Sequence, residues 1–131
     1  MTKDEIQVIP AGPEMDMLVA QNVMGWTIGP EEEIWDQHMH FKQKVQCWLS
    51  PAILEYWIVG KFNPSSDISA AWEVVEKMQS MGYCFDADGN ARVKRIRFGI
   101  GQEIGEAETM PLAICRAALL VVSIQSSLSQ Q

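Results

Sequence analysis

The sequence has 131 residues, of which 47% are hydrophobic and 21% charged, and its formal net charge is −7 at pH 7. This length and composition suit one globular domain with a hydrophobic core, and they exclude a disordered acidic tail. The acidic balance also argues against binding to duplex DNA, because nonspecific affinity for a phosphate backbone needs a broad basic face.

The N-terminal segment MTKDEIQVIPAG has no cationic region followed by an apolar one, so we expect no signal peptide. The longest apolar run, from Pro111 to Ile124, is too short to cross a membrane and is interrupted by Arg116. The three cysteines have no CxxC or Cys/His spacing, which favours reduced thiols. These features predict a cytoplasmic protein with no membrane contact.

The first predicted helix lies in GPEMDMLVAQNVMG, where Pro13 suits the first turn and Gly25 suits the C-terminal cap. The tripeptide WTI that follows is a short strand candidate. The stretch IWDQHMHFKQKVQCW is expected to supply one or two strands, and ILEYWIVGKF favours extended structure before the turn residues NPSS.

The clearest helix lies in SSDISAAWEVVEKMQSMG, with Ser66 or Asp67 as its N-terminal cap and Gly82 at its end. We expect one apolar stripe to face the core. The predicted stripe consists of Ile68, Ala71, Trp72, Val75 and Met78.

The segment YCFDADGNARVKRIRFGIG predicts a hairpin whose turn is formed by the residues Asp88-Gly89-Asn90. In its second strand, arginines alternate with apolar residues, which assigns Arg97 to one face and Phe98 to the other. The last helix, MPLAICRAALLVVSI, is apolar nearly all round and should be buried on more than one side. Residues 125–131 are expected to form a frayed tail.

The element order is helix, strand region, helix, hairpin, helix, and amphipathic helices need a sheet to cover. We therefore expect an α+β fold in which the helices pack on an antiparallel or mixed sheet. The whole chain, residues 1–131, is treated as a single domain.

Three segments, EMDMLVAQNVMGW, PSSDISAAWEVVEKM and AETMPLAICRAALLVV, resemble the signature blocks of the phage ABA sandwich domain family. The resemblance covers residues 14–26 and 62–124, whereas residues 29–55 are longer than the family pattern and are interpreted as an insertion. It implies a layered helix/sheet/helix (αβα) sandwich with a mainly antiparallel sheet, a phage origin and the cytoplasm of the bacterial host. It carries over no catalytic residues.

Four of the ten cations fall within six residues of the predicted hairpin, namely Arg92, Lys94, Arg95 and Arg97. One interpretation is an edge strand whose charges discourage pairing with other chains. The other is a small anion site, because arginine matches phosphate oxygens in a bidentate way.

Arg116 is the one charge in an apolar helix, and its partner is expected to be Glu106 or Glu108, a ligand phosphate or a neighbouring subunit. Aromatic rings near the hairpin could stack a base. The predicted ligand-binding residues are Arg92, Lys94, Arg97, Arg116, Asn90, Phe85 and Trp57.

No catalytic motif is evident, and His38 with His40 suggests no complete metal site, so we expect neither an enzyme nor a metal or other cofactor. In length and inferred origin the chain is similar to phage sponges, proteins that sequester cyclic oligonucleotide or cyclic ADP-ribose signals of host immunity. A homo-oligomeric sponge that binds a small anionic nucleotide is therefore one hypothesis. The alternative is a protein–protein interaction or assembly module with an acidic surface.

Overall fold

The computed structural model of the chain describes residues 2–29, 32–36, 41–49, 62–90 and 95–129. The helices are α1 (Lys3–Val8), α2 (Pro13–Asn22), α3 (Ile68–Ser80) and α4 (Met110–Ser129). The strands are β1 (Thr27–Ile28), β2 (Glu32–Asp36), β3 (Phe41–Val45), β4 (Trp48–Leu49), β5 (Phe85–Asn90), β6 (Arg95–Ile100) and β7 (Glu103–Ala107).

Every strand pairing in the described residues is antiparallel: β1 with β4, β2 with β3, and a three-stranded sheet in the order β5-β6-β7. Helix α4 contacts β6 and β7, and it also contacts α1, α2 and α3. The predicted α+β sandwich of helices and a mainly antiparallel sheet is confirmed. The segment IWDQHMHFKQKVQCW does supply strands, whereas ILEYWIVGK lies outside the described residues.

Helix α4 forms the centre of the core. Residues 112–121 are all buried, so this part of the helix is covered on every side by the chain itself. The predicted burial of α4 is confirmed. Its apolar circumference is thus accounted for within one chain, and the homo-oligomer expected of a sponge stays a prediction.

Helices α2 and α3 form where their sequence signals indicate. In α3, the Asp67 carboxylate accepts a hydrogen bond from the backbone N–H of Ser69 at 3.1 Å, and Gly82 after the helix has φ +95°. The predicted stripe is wrong at two positions, because Ile68 is 49% exposed and Trp72 is 42% exposed. Smaller residues occupy the core-facing side, where α3 meets α4. They are Ala70, Ala71, Val74, Val75 and Met78.

The predicted position of the hairpin turn is wrong. Strand β5 continues through Asp88-Gly89-Asn90, with Asn90 in register with Arg95, because ladder pairing outweighs the turn preference of these residues. Helix α4 extends to Ser129, since QSSLS contains neither glycine nor proline to stop it, and the fraying of residues 125–131 stays a prediction.

The sequence analysis did not predict helix α1, although the residues at its start form an N-terminal capping motif. The Thr2 hydroxyl accepts from the backbone N–H of Glu5 at 3.2 Å, and the Glu5 carboxylate accepts from the backbone N–H of Thr2 at 3.4 Å. This reciprocal capping box satisfies donors that a short helix otherwise leaves free.

Helix α1 covers the free edge of β7. The Gln7 side-chain amide donates to the carbonyl oxygen of Ile104 at 2.9 Å and accepts from the backbone N–H of Glu106 at 3.4 Å. It therefore takes the place of a peptide group in a neighbouring strand. Lys3 adds an ion pair with Glu103 at 3.2 Å. An edge strand that would otherwise invite another chain is thus occupied.

Gly105 of β7 lies directly against the backbone of α4. A Cβ at this position would lie 3.1 Å from the Cα of Ala117, and closer still to the Ala117 nitrogen and the Ala113 carbonyl oxygen. Both alanines are fully buried. Strand and helix can approach this closely only because position 105 has no side chain and positions 113 and 117 have small ones.

Gly105→Ala should lower the free energy of unfolding by about 1–3 kcal/mol or more, because the methyl group would meet backbone atoms that cannot rotate away. The matched control is Gly99→Ala in β6, where the nearest atoms to a new Cβ are at 3.7 and 3.8 Å, an ordinary contact. The control should change stability by less than about 1 kcal/mol. Urea denaturation followed by circular dichroism gives both values, and equal costs would contradict the close-contact argument.

Arg116→Met should cost about 2–3 kcal/mol of stability, because it leaves two backbone carbonyl oxygens, those of Ile9 and Glu106, without the cationic donor they have now. Arg97→Met removes an exposed ion pair and should cost less than about 1 kcal/mol. Thermal and urea unfolding of both variants would test this difference. A stability of Arg116→Met equal to that of Arg97→Met would argue against a structural role for Arg116.

Candidate functional site

The cationic strand β6 is the central strand of its sheet, so the edge-protection interpretation is wrong for it. Arg97 lies in register with Asp88 on β5 and with Glu106 on β7. Its Nε donates to Glu106 Oε1 at 2.8 Å, while 61% of the Arg97 side chain remains exposed. The exposed guanidinium of Arg97 is therefore paired with an acidic residue of the neighbouring strand.

The structure does not bring Arg97 and Phe85 together. Successive residues of a strand point to opposite faces, and Phe98, next to Arg97, is buried on the face that α4 covers. Phe85 stacks on Phe98 with 5.6 Å between ring centroids and 8° between planes, so it lies on that same face. The predicted combination of Arg97 with the Phe85 ring in one site is wrong, because the two side chains lie on opposite faces of the sheet.

Arg116 is 8% exposed and lies between α4, β7 and the end of α1. Its Nη1 donates to the Glu106 carbonyl oxygen at 2.6 Å, and its Nη2 donates to the Ile9 carbonyl oxygen at 2.9 Å. Arg116 has partners within the chain, as expected, but they are backbone carbonyl oxygens and not the carboxylate of Glu106 or Glu108. A buried guanidinium with these bonds cannot extend a site on the outer face of the sheet.

The remaining predicted site residues are not assembled by the described structure. Asn90 ends β5 in register with Arg95. Arg92, Lys94 and Trp57 lie outside the described residues, and their ligand-binding role stays a prediction.

A surface of different character lies where α3 meets β5. Trp72 contacts Phe85 edge to face, with ring centroids 5.2 Å apart and planes at 84°, and Phe85 in turn stacks on the buried Phe98. Trp72 and Phe85 are 42% and 37% exposed, and Ile68 lies one helical turn before Trp72. We call Ile68, Trp72 and Phe85 the aromatic patch.

One acidic residue borders the aromatic patch: Glu76 lies one helical turn after Trp72 and is exposed. Asp86 follows Phe85 in β5, so its side chain points to the opposite face of the sheet. Asp67 precedes Ile68, and its carboxylate caps the start of α3. Lys77, the cation of α3, lies about 140° around the helix axis from Trp72 and so belongs to another side of the helix.

A buried polar cluster joins α2 to the turn before α3. The fully buried Ser65 donates from its backbone N–H to Asp16 at 2.9 Å, and its hydroxyl accepts from the Gly12 N–H at 3.0 Å and donates to the Gly12 carbonyl oxygen at 3.4 Å. Burial raises the pKa of Asp16, although the bonds from Ser65 act in the opposite direction. These groups satisfy one another and hold the two segments together.

Cys115 is fully buried in α4, as the sequence predicts for a core residue. Burial raises the pKa of its thiol, and the negative charge of Asp16 adds to this effect. All three cysteines are free. The Cys115 thiol therefore stays protonated and acts as a packing group, since the thiolate is the reactive form.

No cluster of three or more His, Cys, Asp or Glu side chains suited to a metal occurs among the described residues, and His38 and His40 lie outside them. The helices that the structure describes include none long and apolar enough to cross a membrane.

Sequence reasoning missed the aromatic patch because it assigned Trp72 to the core. The signal was the position of Trp72 in the helix, one turn before the charged Glu76 and at the margin of the buried stripe. Hydrophobicity alone placed the tryptophan inside, whereas the alanines at 70 and 71 permit the close packing that turns it outward.

Comparison with solved structures shows similarity to a phage protein from Bacillus cereus ATCC 14579, known from its crystal structure, with a TM-score of 0.55 and 22% sequence identity. The match covers 89% of this chain and 93% of that one, and it supports the fold alone. Comparison with curated proteins gives no match. The family model of the phage ABA sandwich domain matches residues 17–119. The chain therefore belongs to the phage ABA sandwich domain family.

Proposed function

We propose that this phage protein is a non-catalytic module that binds another protein through the aromatic patch. The observation that carries the proposal is the exposure of two large aromatic side chains, Trp72 and Phe85, on top of a ring that belongs to the core. Tryptophan is among the residues that contribute most to protein interfaces, particularly where the surrounding surface can exclude water.

The stacking of Phe85 on the buried ring of Phe98 strengthens this proposal. Phe85 is held between Trp72 and the buried Phe98, so both exposed rings have defined positions before a partner arrives. A surface that is ordered in advance loses less conformational entropy on binding. The buried groups with nucleophilic chemistry have other roles, since the Ser65 hydroxyl is bonded to Gly12 and the Cys115 thiol is kept protonated.

A phage protein of this kind would meet its partner in the cytoplasm of the bacterial host. The acidic composition agrees with an interaction module, because a net charge of −7 disfavours phosphate-rich ligands over most of the surface. The partner would be a host protein or another phage protein.

Replacement of Trp72 by the photoreactive residue p-benzoylphenylalanine tests the proposal in infected cells. We expect a discrete crosslink to one protein from position 72, and none from the same replacement at the exposed Ile104 on the opposite edge strand. The captured protein, once purified, should bind Trp72→Ala at least thirtyfold more weakly than wild type, or about 2 kcal/mol. Equal affinity, with wild-type circular dichroism, would reject the patch as the binding surface.

A second candidate is the nucleotide sponge, and Arg97 is the observation that favours it. The Arg97–Glu106 ion pair is exposed and single, so it contributes little to stability, and a ligand phosphate could replace the carboxylate. Arg92 and Lys94 would complete such a site on the cationic hairpin. The carboxylate of Glu106 beside Arg97 opposes it.

A thermal-shift screen against cyclic di- and trinucleotides and cyclic ADP-ribose isomers separates the two candidates, because a ligand that binds only the folded state raises the melting temperature. The protein-binding module should show no shift. A sponge should show a shift that Arg97→Ala reduces and that Glu106→Gln increases, since the second change removes a competing negative charge. A shift unaffected by either variant would place any nucleotide away from β6.

A further inference from the structure

The aromatic patch lies beside β5, and β5 is an edge strand of the sheet that the structure describes. We infer that the partner binds as an extended segment, which pairs antiparallel with β5 as a fourth strand and lays apolar side chains on the patch. This inference deepens the proposed function and rests on it. Strand addition of this kind takes its affinity from main-chain hydrogen bonds and its specificity from alternate side chains.

The register of the hairpin shows which backbone groups of β5 point away from β6. The Gly101 N–H donates to the Cys84 carbonyl oxygen at 2.9 Å, directly before the ladder of β5 with β6 begins. Hydrogen-bonded and non-bonded pairs alternate along an antiparallel ladder, so Asp86, two residues after Cys84, also bonds to β6. The N–H and C=O groups of Phe85 and Ala87 therefore point to the outer edge.

The two edges of the sheet differ in how such outward groups are satisfied. On β7, the Gln7 amide of α1 bonds to the outward groups of Ile104 and Glu106. On β5, no hydrogen bond from another described residue reaches the outward groups of Phe85 and Ala87. A row of donors and acceptors in this state is a template for an extended chain. Every pairing that the described strands make is antiparallel, and we expect the same of the added strand.

The side chains along this edge favour the same occupant. Phe85 and Ala87 share the face on which Phe85 stacks on Phe98, and both are exposed. Directly opposed residues of an antiparallel pair project from the same face of a sheet. Apolar partner residues opposite Phe85 and Ala87 would therefore cover the exposed rings of Phe85 and Trp72.

Charge argues against a second copy as the occupant. The sequence of β5, FDADGN, contains two acidic residues and no cation. Two copies of β5 paired about a two-fold axis would set these acidic positions against each other, which is unfavourable across strands. Asp86 is exposed on the face opposite the patch, where a basic residue of a different strand would complement it.

N-methylated peptides test the inference, because a methyl group on a backbone nitrogen removes one donor and leaves the side chains unchanged. The probe is Thr-Val-Lys-Phe-Lys-Val-Thr with blocked ends, whose apolar residues share one face of a strand. In the inferred pairing, the N–H groups of these apolar residues face β5, and those of the lysines and the last threonine face water.

One variant peptide is N-methylated at both valines and the phenylalanine, and its matched control at both lysines and the last threonine. In calorimetric titration of the purified protein, we expect the first to bind at least tenfold more weakly than the unmethylated probe. The control, which has the same charge and the same number of methyl groups, should stay within about threefold of the probe. Any other order of affinities, or no binding of the probe, would overturn the inference.

Ala87→Pro removes an outward N–H from the protein itself. The ladder with β6 does not use this group, and proline is tolerated on edge strands, so wild-type circular dichroism is expected. The variant should bind the probe at least tenfold more weakly, whereas Ala87→Val, which keeps the N–H, should stay within about threefold of wild type. Equal affinities of the two variants would contradict strand addition.

Hydrogen exchange measured by NMR shows whether the edge is open in the free protein. The amide hydrogens of Phe85 and Ala87 should exchange at least tenfold faster than that of Asp86, and saturating probe should slow both. Slow exchange of all three without the probe would show an edge that is already occupied, and it would overturn the inference.

Trp72→Ala separates this inference from the proposed function. Equal affinities of wild type for the two methylated peptides, with a tenfold loss of probe binding in Trp72→Ala, would keep the patch as a protein-binding surface and reject strand addition. Unchanged probe binding in Trp72→Ala would count against the patch itself. In sedimentation equilibrium, a wild-type dimer that Ala87→Pro dissociates would assign the β5 edge to a second copy and reject the inferred partner.

Discussion

The contact between Gly105 and the backbone of α4 is the constraint on which most of the fold depends. It sets the distance between the last strand and the central helix, and this distance allows Arg116 to reach the carbonyl oxygens of Glu106 and Ile9. Through Arg116, the end of α1 is fixed beside β7, where the Gln7 amide can complete the strand edge. Small side chains at three positions thus organise helix, sheet and N-terminal segment together.

The same arrangement determines which surfaces remain for binding. Of the cations that the sequence gathers on and near β6, Arg97 forms an ion pair across the sheet. Arg116 of α4 is used inside the fold. The close packing of α3 through alanines leaves Trp72 outside, against Phe85 at the other edge strand. One edge of the sheet is therefore covered by α1, and the other carries exposed aromatic rings.

Sequence patterns predicted the elements whose signals are local. Helices α2 and α3 and the buried α4 follow from apolar spacing, caps and glycine stops, and the alternation of Arg97 with Phe98 gave the correct faces of β6. The order of strands in a sheet depends on contacts between residues that are distant in the chain. The sequence therefore did not predict that β6 is the central strand. The partner of Arg116 and the outward position of Trp72 depend on packing distances that residue types alone do not specify. The site was therefore predicted less well than the fold.

The position of α4 in the chain has a consequence for how the protein is made. Helices α1, α2 and α3 and strands β6 and β7 all contact α4, yet every one of them is synthesised before it. During translation the apolar faces that pack on α4 stay uncovered until α4 has been synthesised. Contacts such as those of Ile9 with Arg116 close loops that span most of the chain, and such closure is slow. The nascent protein should therefore depend on chaperones until α4 emerges, and then fold in one late step.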